Sequence, residues 1–80
     1  MVRIHFEDDG QDILWWDIDE HGVVQACNMQ EWVWKGTQVQ MTVSGNEPSK
    51  VQPGDRLVCE FKDGRIGIFQ HPVEKIELVD

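Results

Sequence analysis

From Ile4 to Trp34 the chain has no lysine and no arginine. That gap excludes the positive stripe a phosphate backbone demands from this half of the chain. Among the remaining bases Arg56, Lys62, Arg65 and Lys75 could supply one, and alternation pairs Arg56 and Lys62 with Glu60 on one outward face. Direct nucleic-acid binding is therefore not expected, nor is attraction to an acidic membrane. Long apolar runs are also missing. Nothing approaches the roughly 20 residues needed to span a bilayer, and the start MVRIHFEDD lacks the basic-then-apolar layout of a secretory signal, so the protein is expected to be soluble and cytoplasmic. Cysteine is scarce: Cys27 and Cys59 are too few for a disulfide scaffold and have no CxxC spacing, which makes thiols the default and leaves a single bridge open. His5, His21 and His71 add no zinc-like spacing, so neither metal nor cofactor is expected. Internal repeats and low-complexity segments are absent as well.

What the sequence has in excess is acid. Between Met1 and Glu47 nine carboxylates face Arg3 and Lys35, a charge of −7, whereas from Pro48 to Asp80 six face five bases, or −1. Nearly all of the net −8 thus sits on the first half, and its field attracts basic protein surfaces or cations. Eighty residues make one small domain that buries only about 60% of the surface its unfolded form exposes, so a deep active site has little room.

Period-2 alternation dominates. Val2, Ile4 and Phe6, then Val39, Met41 and Val43, then Leu57, Cys59 and Phe61 each alternate with polar neighbours, the last interrupted by Val58. Asp63-Gly64 predicts a type I′ turn joining strands 56–62 and 65–70. Asp8-Asp9-Gly10-Gln11 and Asp19-Glu20-His21-Gly22 supply turns around a strand at 13–18, and Pro53-Gly54-Asp55 supplies another. Pro72 makes 73–79 an edge strand. For 28–36 two readings compete. Asn28 with Glu31 would cap a short helix ending at Gly36, while β-propensity favours Trp32-Val33-Trp34 as a strand with both indoles on one face. The expectation is an all-β domain of six to seven short strands, a small antiparallel barrel or sandwich of SH3-like type, with a short helical turn near 28–35 as the alternative. Its expected core is Ile4, Phe6, Leu14, Trp16, Ile18, Val39, Met41, Leu57, Phe61, Ile66, Ile68, Ile76 and Leu78.

Candidate site residues come from the acids and the tryptophans. Asp17-Ile18-Asp19-Glu20-His21-Gly22 opens like a calcium loop, but the twelfth position, which needs a bidentate acid, is Asn28. The segment reads as a solvated turn. Cys59 is in phase with Leu57 and Phe61, an inert core position rather than a nucleophile. Glu7, Asp8, Asp9, Asp12, Asp17, Asp19 and Glu20 flank two turns expected to lie near one sheet. They form either an ordinary soluble surface or a patch for a basic partner. Strand parity sets Trp15 opposite Trp16. Trp16 then joins Leu14 and Ile18 in the core, and Trp15 stands exposed beside Asp17 as the apolar centre of a binding surface, with Trp32 and Trp34 as further candidates.

The run from Val51 to Leu57 with its Pro53-Gly54-Asp55 and the hairpin after it resembles the entry to SH3-like barrels, a likeness that implies a fold and no function. Phe6 to Asp19, together with Cys27 and Trp34-Lys35-Gly36, resembles small acidic proteins encoded by bacteriophages and prophages. That resemblance implies a bacterial or phage cytoplasm and a protein-interaction role. The expected function is a non-enzymatic module that docks a basic protein surface through the acidic, Trp-bearing half. Two alternatives stand beside it: a nucleic-acid mimic presenting carboxylates at phosphate-like intervals, and a small-molecule or carbohydrate binder that stacks its ligand on Trp15 or the Trp32/Trp34 pair.

Overall fold

The computed structural model describes residues 1–7 and 14–79, in which seven strands form two antiparallel sheets. β1 (Val2–Phe6), β2 (Trp15–Ile18), β3 (Val24–Cys27) and the last strand, β7 (Val73–Leu78), make one sheet in the order β3-β2-β1-β7. β4 (Gln38–Thr42), β5 (Leu57–Glu60) and β6 (Ile66–Ile68) make the other, in chain order. The all-β expectation holds, and β7 lies at a sheet edge as Pro72 implied. Among the described residues no helix is long and apolar enough to cross a membrane.

Two seams join the sheets. At the first, Val23 bridges Gln38, the Val24 N–H donates to Thr37 O at 2.9 Å, and the Val39 N–H donates to Gly22 O at 2.8 Å. At the second, Val73 and the turn before β5 exchange bonds: Val73 N–H to Asp55 O at 2.8 Å and Gly54 N–H to Val73 O at 2.7 Å. The core between the sheets holds Ile4, Phe6, Leu14, Trp16, Ile18, Val24, Cys27, Val39, Val51, Leu57, Cys59, Phe69 and Val73, with Phe61, Ile76, Val2 and Trp34 packed against it.

Four expectations need correction. Residues 31–34 form one helical turn, α1 (Glu31–Trp34), not a strand; the strand in this region is β3, which alternation did not single out. Gln30 enters the turn in the left-handed region at φ 51° with no side-chain cap, and Asn28 accepts instead from the Trp15 N–H at 2.9 Å. At about 100° per residue the two indoles part: Trp34 turns to the core and Trp32 to water.

The hairpin forms at Asp63-Gly64, but not with a type I′ turn. Gly64 alone takes positive φ (88°) there, while the Gly64 N–H donates to Phe61 O at 2.9 Å and the Phe61 N–H to Arg65 O at 2.8 Å. This is a three-residue loop closed by a left-handed glycine, one residue longer than expected. The extra residue pairs Cys59 with Gly67 and Val58 with Ile68, so every side chain of β6 changes face. Ile66 and Ile68, expected in the core, are 63% and 57% exposed, and Gly67 faces inward.

A bulge does the same to Met41. The β4–β5 register shifts between Val39 and Met41, so Val39 and Thr42 are buried while Met41 is exposed. Leu78, at the end of the edge strand β7, is exposed too.

Gly22 sits on the first seam with φ 81°, and a Cβ there would lie 2.6 Å from the Val39 carbonyl oxygen; Gly45 has φ 95° and open space. Alanine at either carries about 1–2 kcal/mol of left-handed backbone cost. Gly22→Ala must also push apart the Gly22–Val39 hydrogen bond. Urea denaturation should therefore find it at least about 1 kcal/mol less stable than Gly45→Ala. Equal losses would show that the seam yields freely.

Candidate interaction surface

The outward face of the β3-β2-β1-β7 sheet carries a ladder of charges. Register sets Asp17 beside Arg3 and Arg3 beside Glu77. Arg3 grips Asp17 with two bonds, Nε to Oδ1 at 2.7 Å and Nη2 to Oδ2 at 3.1 Å, and its guanidinium carbon lies 3.7 Å from the Trp15 ring centroid. The bond to Asp17 raises the Arg3 pKa. Next to it, His5 Nε2 lies 2.6 Å from Glu77 Oε1, and that bond lowers the Glu77 pKa. Trp15 is half-buried opposite a buried Trp16, in keeping with strand parity. Its surroundings differ from the expectation. Asp17 is buried and neutralised, and the Trp15 ring is covered by the one base that precedes Lys35.

Asp19 is likewise committed to the fold. Its Oδ1 accepts from the N–H groups of His21 (2.8 Å) and Val23 (3.0 Å), and its Oδ2 accepts from Gln25 Nε2 at 2.8 Å. The backbone bond from Val23, above all, holds its carboxyl below the ordinary value. Glu7 and Glu20 are exposed, while Asp8, Asp9 and Asp12 lie outside the described residues. Of the seven acids expected to gather, two thus serve internal bonds. A calcium site fails with them, since Asp17 and Asp19 already have other partners.

The concave surface lies elsewhere. A groove of about 570 Å³ runs between α1 and the β5–β6 hairpin, lined by Trp32, Val33, Trp34, Phe61, Lys62, Asp63, Arg65, Ile66 and Gly67. Trp34 and Phe61 form its aromatic floor, their centroids 6.0 Å apart. Trp32, 73% exposed, makes one wall. Lys62 Nζ pins that wall by donating to the Trp32 carbonyl at 3.0 Å, and Arg65 pairs with Asp63 at 2.7 Å. A second groove of about 480 Å³ shares Trp34 and Phe61 and continues past Ile68 to His71. Sequence reasoning named Trp32 and Trp34 but missed Ile66 as a surface group, because it assigned it to the core; Phe61, also assigned there, packs against the core and still lines the groove.

Reactive groups are few. Burial pushes the Cys59 thiol up to about 12 and also raises Cys27, which opposes nucleophilic use of either. No three metal-ligating side chains gather among the described residues. In comparison with known proteins the chain matches no family model, no curated protein and no solved structure.

A lowered carboxyl pKa stabilises the fold above the unfolded-state value, and that contribution is lost as pH falls through the folded-state value. The stability gap between the parent and Asp19→Asn should therefore be widest near neutral pH. It should start to close as pH drops past the ordinary 3.8 and reach its floor below the lowered value, as read from urea denaturation at a series of pH values. A gap independent of pH would show that the Asp19 charge contributes nothing.

Proposed function

We propose that this protein is a non-enzymatic interaction module that docks a protein partner in the groove between α1 and the β5–β6 hairpin. The observation that carries this reading is Trp32, a largely exposed indole beside a floor of two further aromatic rings. A large ring held at the wall of a groove loses little conformational freedom when a partner covers it, which is why Trp is enriched in binding hot spots. The expected Trp15–Asp17 centre gives way to Trp32, since Arg3 satisfies both of its members. The net charge of −8 keeps its part at longer range, drawing basic surfaces toward the molecule. The internal bonds of Asp17 and Asp19 weigh against a nucleic-acid mimic.

One observation favours a second reading. An aromatic groove rimmed by Lys62, Asp63 and Arg65 has the form of a small-molecule or carbohydrate site.

Affinity capture from the cells that encode the protein, with parent and Trp32→Ala baits, tests the first reading. Trp32→Ala should leave thermal stability nearly unchanged and weaken capture of a partner by at least about 2 kcal/mol, the level that defines a hot spot. A partner held equally by both baits would remove the groove from its recognition. Quenching of tryptophan fluorescence by a simple sugar, lost in Trp32→Ala, would favour the second reading.

A further inference from the structure

The outward side of the β4-β5-β6 sheet is apolar where a lone domain would set polar groups. Register places Met41 beside Val58 and Val58 beside Ile68, so three apolar residues cross the sheet in one row, with Val43 just past the end of β4. Met41 and Val43 are exposed, as Ile68 is. Single surface hydrophobes are ordinary, but a contiguous row is a feature of surfaces that bind. Among the described residues nothing covers it.

Charge identifies the cover. The Val43 N–H donates to Arg56 O at 2.8 Å, which extends the β4–β5 ladder back to Arg56, so Arg56, Val58 and Glu60 alternate onto this outward face. Arg56 and Glu60 stand two residues either side of Val58, about 13 Å apart at the usual strand rise. Both are exposed, and neither has an ion-pair partner among the described residues. The base and the acid are thus symmetrically disposed about an apolar centre.

A second copy turned about a two-fold axis that lies in the plane of the face and crosses the strands at Val58 meets every demand of this surface. β5 then lies antiparallel over β5 of the other copy. Met41, Val58 and Ile68 each meet their own kind, and Arg56 of each copy falls over Glu60 of the other, twice. An axis along the strands would instead set Arg56 over Arg56, so charge selects the first. Elsewhere the net −8 of each chain opposes approach; here the charges cancel in pairs.

We propose that the protein associates with a second copy of itself by stacking the outward faces of its β4-β5-β6 sheets about this axis. Such an interface is isologous and closes at two chains. The Trp32 ring lies off the stacked row, while Ile66 of that groove stands beside Glu60 at the edge of the stacked face.

Sedimentation equilibrium over a concentration series should give a mass rising to twice the 9.3 kDa of the chain. Val58→Lys should remain monomeric with an unchanged circular dichroism spectrum. Arg56→Glu sets acid against acid in both pairs and should weaken association about tenfold or more. Adding Glu60→Arg to the same chain reverses both signs and should restore the affinity to within about threefold of the parent. Trp32→Ala should dimerise like the parent. A parent that stays monomeric at every concentration would overturn the proposal. So would dimerisation indifferent to Arg56→Glu, a double variant that fails to recover, or a dimer abolished by Trp32→Ala.

Discussion

The indole of Trp16 sits where both sheets and the helical turn have to meet. Its ring centroid lies 4.9 Å from Phe6, 4.5 Å from Phe69 and 5.6 Å from Trp34, so strand β1, the segment after β6 and α1 all close on one side chain. A domain of this size has few other ways to hold two sheets together. Trp34 must turn inward to complete the cluster, and a single helical turn sends Trp32 the opposite way. The exposed ring of the proposed groove is in this sense a by-product of the core: the floor at Trp34 and the wall at Trp32 are set by one packing requirement.

Alternation located six of the seven strands, because a half-buried strand has to repeat every two residues. It could not assign the faces of β4 and β6. Those depend on one residue each: the bulge between Val39 and Met41, and a hairpin loop of three residues instead of two. Asp63-Gly64 is compatible with either loop, since a left-handed glycine serves both. Tertiary packing accommodates the longer one. Phe61 packs against Trp34, and Gly67 offers the space beside it, a Cβ there lying 3.6 Å from Phe61. The single residue by which the loop lengthens therefore turns two isoleucines outward and creates the apolar face.

The acids were legible as a count and not as a surface. Charge along a sequence does not show which carboxylates a strand will pair, and Arg3 reaches Asp17 only because β1 lies antiparallel to β2 in a register that sets the two residues opposite. Asp19 was legible as a turn residue; that its carboxylate would spend three acceptor bonds on the 21–25 segment was not. The functional reading moved from Trp15 to Trp32 for the same reason. Both indoles stand near charge, but Arg3 already occupies the first, while Lys62 binds the backbone of the second and leaves its ring open.

The groove and the outward face of β5 carry little of the net charge. Around the groove and the outward face of β5, Glu31, Glu60 and Asp63 face Lys35, Arg56, Lys62 and Arg65, so this region carries none of the chain's acidic excess. At physiological salt the field of an exposed carboxylate fades over about 8 Å, a short range beside domain extents of 29 × 27 × 26 Å. In the proposed docking the acids bear on how a partner approaches, and the apolar surface on how firmly it stays. Trp32, Ile66, Ile68 and Met41 are exposed in a region where bases at least match the acids in number. That coincidence distinguishes this surface from the many ordinary exposed hydrophobes of a small protein.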